Sequence, residues 1–109
     1  EHYVAVKDHA HGTGTRKAAI ELRNFIVNLI NQGASRVVMD FQGIGVISSS
    51  FADELIGKLV VRFGFFNFQQ IISLRGMTDT VQAILHRSVA QRMIEGLQQN
   101  QMNQEELND

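Results

Sequence analysis

Residues 48–50 are three consecutive serines, and Phe51, Asp53 and Glu54 follow them. Serine hydroxyls at the start of a helix meet backbone N–H groups that have no intrahelical partner, together with the positive end of the helix dipole. Two chemistries follow from that setting. The hydroxyl can cap the helix, or it can carry a phosphate that the same environment stabilises. The cap is expected at Ser50, with Asp53 three residues on as a short analogue of the capping box. Asp53 and Glu54 fall in the first turn, where negative charge complements the dipole; their functional reading is an acidic edge for a basic partner surface.

Other reactive groups are less organised. "GTGT", residues 12–15, precedes a helix and could approach an anion, but no Lys-Ser or Lys-Thr follows at P-loop spacing and no GxGxxG is present, so no nucleotide is expected. Arg16 and Lys17 are read as surface residues of the helix that begins there. His2, His9 and His11 lie close in sequence, while His86 falls far along the chain, and there is no Cys. This is not metal-ligand spacing, so neither metal nor cofactor is expected. A serine hydrolase is the enzymatic alternative, but the GxSxG elbow is missing and no motif places a histidine, so the expectation is a protein that is not an enzyme.

The elements that would position the serines can be read from periodicity. Residues 2–8 are β-friendly and predict a strand, and 11–15 a turn. From Arg16 the apolar positions Ala19, Leu22, Ile26, Leu29 and Ile30 recur at helical spacing, with Thr15 as cap and Gly33 as stop. Val37, Val38, Met39 and Phe41 form a continuous apolar run, predicting a central strand over 35–41. A second helix runs from Ser50 to Phe63, carrying Leu55, Ile56, Leu59 and Val60, and Gly64 closes it. Residues 63–70, with four phenylalanines, read as a connection that could expose an interaction patch, the basis for an alternative reading as a self-associating structural subunit. Residues 71–74 are the next strand. Thr78 and Asp79 cap a third helix through Val81, Ile84, Leu85, Val89, Met93, Ile94 and Leu97. The fold class is thus α/β, a small mainly parallel sheet with alternating strands and helices. One domain is expected over 1–97, and the Gln- and Asn-rich residues 98–109 as a polar, disordered tail.

Composition narrows the partners. The chain has 109 residues, enough for one core, and its 10 basic residues are scattered and matched by 11 acidic ones, which disfavours nucleic acid. No apolar run is long enough to span a bilayer, and the absence of Cys fits a reducing compartment, so the expectation is a cytoplasmic protein with no membrane partner.

"VVMDFQGIGVISSSFADEL", residues 37–55, resembles the central motif of STAS domains of the anti-sigma factor antagonist type, in which a strand ending in an acid leads to a "DSSG" helix start. It is still more similar to a STAS-like family of uncharacterised function carrying "DF" and "ISSSFADEL" after a Gly-Thr-Arg turn, here "GTGTRKAA". The resemblance spans about residues 12–93. It implies a regulatory protein-binding module whose partner is a histidine-kinase-like ATPase or serine kinase. Aligning the motifs puts Ser48 on the family's Asp, Ser49 on its first serine, Ser50 on its phosphorylated second serine and Phe51 on its Gly. Ser50 is therefore the phosphoacceptor candidate, with Ser49 the alternative. The partner-binding residues implied are Ser48, Ser49, Ser50, Phe51, Asp53, Glu54 and Lys58. Relative to a full STAS domain, the N-terminal hairpin and the final strand are missing.

Overall fold

The computed structural model describes residues 1–107. Three strands, β1 (His2–Ala5), β2 (Val37–Asp40) and β3 (Ile72–Arg75), form one sheet in the order β1-β2-β3, with both pairings parallel. A helical turn α1 (Val6–His9) follows β1, and α2 (Arg16–Asn31) connects β1 to β2. The second crossover is α3 (Ser49–Ala52), a π-helical segment Asp53–Gly57, α4 (Lys58–Phe63) and α5 (Phe65–Ile71). After β3 the chain ends in α6 (Asp79–Leu107). The mixed α/β class and the small parallel sheet are those expected from the alternation of elements.

Register explains where the core lies. Val4, Met39 and Leu74 are partners across the sheet, as are Val37 and Ile72, and these side chains share one face. Both intervening helices pack against that same face, as strands in sequential order require when their crossovers share one hand. There, Leu22 and Ile26 of α2, Phe51, Leu55, Ile56 and Leu59 of the second crossover, and Val81 and Leu85 of α6 are all buried in one cluster. On the other face stand Tyr3, which is largely exposed, and Asp40 and Arg75, with Val38 buried between its register neighbours Tyr3 and Ser73. The Tyr3 hydroxyl donates to Asp40 Oδ2. That bond makes the Asp40 carboxylate more acidic than usual and holds the phenol above its ordinary value.

Several local expectations hold in detail. Thr15 Oγ1 accepts from the Ala18 amide at 3.2 Å and starts α2. Gly33, just past the C-cap Gln32, stops that helix: its φ of 104° allows Gly33 N to bond Ile30 O and Ala34 N to bond Leu29 O, both at 3.0 Å. Thr78 Oγ1 accepts from the Val81 amide at 3.1 Å and starts α6.

Three local expectations are corrected. The strand predicted over 2–8 stops at Ala5, because the Ala10 amide bonds Val6 O at 2.9 Å and closes a helical turn that buries Val6 and exposes Lys7, Asp8 and His9. The phenylalanine-rich connection is instead α5: Phe65 and Phe68 at helical spacing face the core, Phe68 is buried, and Phe66 on the outer side is 80% exposed. The third helix, expected to stop near Leu97, continues to Leu107 through residues assigned to a disordered tail; Gln, Glu, Met and Leu are good helix formers and no Pro interrupts them. Asn108 and Asp109, the end of that expected tail, lie outside the described residues.

Candidate functional site

The loop between β2 and α3 is held from both sides. Phe41 N donates to Arg75 O at 2.8 Å, Thr13 Oγ1 to Val46 O at 2.9 Å, and Ser48 N to Thr13 O at 3.0 Å. These bonds set the start of α2 beside the start of α3, beyond the carboxyl end of β2, the side of a parallel sheet where functional groups collect.

The helix start is two residues earlier than expected. Ser48, with extended backbone, is the cap: its Oγ accepts from the Phe51 amide at 2.9 Å. Ile47 just before the cap and Ala52 four residues after it are both buried, the positions of a hydrophobic staple, and this fixes the entry of the chain. Ser49 and Ser50 are consequently the first two residues inside the helix. Ser49 is exposed and Ser50 half-buried, and neither hydroxyl makes a side-chain hydrogen bond among the described residues.

Asp53 and Glu54 lie three and four residues after Ser50, and Gly57 lies four and three residues after them, so the four share one side of the helix. Glu54 is only 6% exposed, and three cations enclose its carboxylate. Arg16 Nη1 lies 2.9 Å from Oε1, and Arg23 Nη1 and Lys58 Nζ lie 2.9 Å and 3.2 Å from Oε2. Arg23 also donates to the Glu54 backbone carbonyl. The Arg23 bond leads these interactions in outweighing burial, and together they hold the Glu54 pKa down to about 2. Asp53 is gripped by Arg92 through two bonds of 2.7 Å, Nε to Oδ1 and Nη2 to Oδ2, with Arg16 4.0 Å away. This grip lowers the Asp53 pKa and raises that of Arg92.

The π-helical segment lies under α6, and Gly57 permits the approach. A Cβ at Gly57 would stand 2.7 Å from Asp53 Oδ1 and 2.9 Å from Ser88 Oγ. The Ser88 hydroxyl is buried and finds no hydrogen-bond partner among the described residues. Beside the pair, a groove of about 280 Å³ is lined by Ser49, Ser50, Arg16, Asp53, Arg92 and Glu95.

These contacts revise the expected partner-binding set. Phe51, at the position of the family's Gly, is fully buried in the core and offers a partner nothing. Glu54 is enclosed, and Asp53 is taken up by Arg92, so the two do not form a free acidic edge. Arg16 lies at the surface as expected, and from there it reaches both carboxylates. Ser48, Ser49, Ser50 and Lys58 remain on or near the surface. Arg16, Arg23 and Arg92 were missed because they lie 38, 31 and 39 residues from the carboxylates they bind, and only the packing of α2 and α6 brings them there. Among the histidines, His9 stacks on Phe25 with ring centroids 4.6 Å apart. No group of three His, Cys, Asp or Glu suited to a metal ion occurs among the described residues.

The model of a family described as a STAS-like domain of unknown function (DUF4325) matches residues 18–82. The chain belongs to this family. The matched part of the STAS-like domain runs from α2 through β2, the serine loop, the second crossover and β3 into the first turn of α6. It contains Arg23, Glu54 and Lys58, whereas Arg16 lies just before it and Arg92 well beyond its end. Searches of curated proteins and of solved structures find no match to the domain.

Proposed function

We propose that the STAS-like domain is a non-catalytic, regulatory protein-binding module of the anti-sigma factor antagonist kind, switched by phosphorylation of Ser50. Its docking surface is the start of the 49–63 helix, with Ser48, Ser49, Ser50 and the exposed Lys58 as contacts. The partner is a histidine-kinase-like ATPase or serine kinase in a cytoplasmic setting; neither nucleic acid nor membrane takes part, and no cofactor is involved. Among the described residues no helix is long and apolar enough to cross a membrane.

The observation that carries this reading is the division of labour among the serines. Ser48 alone satisfies the helix cap, so the Ser50 hydroxyl is not needed for it and can accept a phosphoryl group without uncapping the helix. In that transfer the Ser50 oxygen would bond the terminal phosphorus of a nucleoside triphosphate, the diphosphate would leave, and the hydroxyl proton would pass to a base of the kinase. The added charge of about −2 at the contact would release the partner.

The test is retention of proteins from lysate of the native organism on wild-type, Ser50→Ala and Ser50→Asp baits, followed by affinity measurement with the purified partner. An ATPase-fold regulator held by wild type and Ser50→Ala, and held at least tenfold more weakly by Ser50→Asp, is the expected result. Equal affinity for all three baits would remove the switch.

A further inference from the structure

We infer that Arg16 reads a phosphoryl group carried on Ser50, exchanging its contact with Glu54 and Asp53 for the phosphate and so tying the start of α2 to the start of the 49–63 helix. This rests on Ser50 as the acceptor and adds the residue that responds to it.

Ser50 stands one turn before Asp53 and Glu54 on the same side of the helix, so a phosphate there arrives beside two carboxylates. In isolation that placement would be repulsive. Here the two carboxylates, with Glu95, are already met by four cations: Arg16, Arg23, Lys58 and Arg92. The cluster therefore carries one surplus positive charge, next to a groove that Ser50 and Arg16 both line.

Only one of the four is placed to move. Arg23 has a side chain just 19% exposed and is held by both the carboxylate and the carbonyl of Glu54. Arg92 is fixed by two bonds to Asp53. Lys58 lies one turn beyond Glu54, on the side away from Ser50. Arg16 is 56% exposed, makes a single close contact with Glu54, and can leave while Arg23 and Lys58 still neutralise that buried carboxylate. A guanidinium suits the task because its planar array of donors can engage two phosphate oxygens at once. With a dianionic phosphate in place, the net charge of the cluster turns from positive to negative, which gives a partner a reversed electrostatic surface to meet.

Ser49 is a poorer acceptor for this contact. Its neighbours one turn on are Ala52 and Asp53, so it lies a step around the helix from Glu54, where Arg16 makes its close contact.

The experiment is a ³¹P NMR titration of protein carrying phosphoserine at position 50 or, in parallel samples, at position 49, in wild type, Arg16→Lys and Arg16→Gln backgrounds, with circular dichroism confirming the fold. The expected result is a second phosphate ionisation in wild type at least half a pH unit below that of Arg16→Gln, about a threefold change in proton affinity, with Arg16→Lys between them. Coincident midpoints in wild type and Arg16→Gln would overturn the inference, as would a larger Arg16 effect on phosphoserine at position 49. Should Arg16→Gln fail to fold, the wild-type and Arg16→Lys midpoints decide in the same way. No partner takes part in the titration, so the two readings fail separately. Partner release without an Arg16 effect would remove Arg16 as the reader and leave the switch. An Arg16 effect without partner release would do the reverse.

Discussion

A glutamate as enclosed as Glu54 is costly unless its charge is matched, and the match here is supplied from α2 by Arg16 and Arg23 and from its own helix by Lys58. This dependence should be visible in the acid stability of the domain. The folded-state pKa of about 2 lies below the ordinary value of 4.5, so the unfolded chain takes up the proton first as pH falls. The stabilisation from Glu54 is therefore complete above about pH 4.5 and is lost progressively towards pH 2. Urea unfolding at pH 7, 4 and 3 should show wild type losing stability steeply over that interval. Glu54→Gln should be less stable at pH 7 yet show a shallower decline, and parallel pH profiles would mean that Glu54 does not provide this linkage.

The 49–63 helix shows what happens when an element serves both a core and an ion-pair cluster. Its apolar side, Leu55, Ile56, Leu59 and Val60, was legible from spacing, and so was its end at Gly64. Its start was not, because three serines in a row are equivalent as caps until the burial of Ile47 selects Ser48. The π-helical turn was equally hidden, since its backbone register answers to α6 packed against it. Gly57 marks that contact. In an ordinary helix Gly57→Ala would stabilise by about 1 kcal/mol through propensity. Here the added methyl would meet Asp53 Oδ1 and Ser88 Oγ within 3 Å, so the substitution should instead destabilise, by about 1–3 kcal/mol. Chemical denaturation of Gly57→Ala measures the sign directly. Combining it with Ser88→Ala should recover part of the loss, because one of the two obstructing oxygens is then gone; a stabilising Gly57→Ala would show that α6 does not sit this close.

At the scale of the whole molecule, the order of elements was readable because each crossover carries a helical period between short apolar strands, and that order largely dictates a parallel sheet. What the order leaves open is how far the last helix belongs to the body it packs on. Val81, Leu85 and Ser88 are buried and Val89 lines the core, whereas Ile94 and Leu97 are more than half exposed. The helix therefore passes from a segment fixed by tertiary packing to one sustained by its own hydrogen bonds, and short unsupported helical lengths are marginal in water. Native-state hydrogen exchange should divide α6 accordingly: amides over 81–89 should open only with global unfolding, while those over 94–99 should exchange through local opening at rates orders of magnitude faster. Uniform protection along both stretches would require a cover for Ile94 and Leu97 in solution. Sedimentation of the same sample would then identify it, since a second copy of the chain lying on this face would give a dimer whose dissociation on dilution restores the fast exchange.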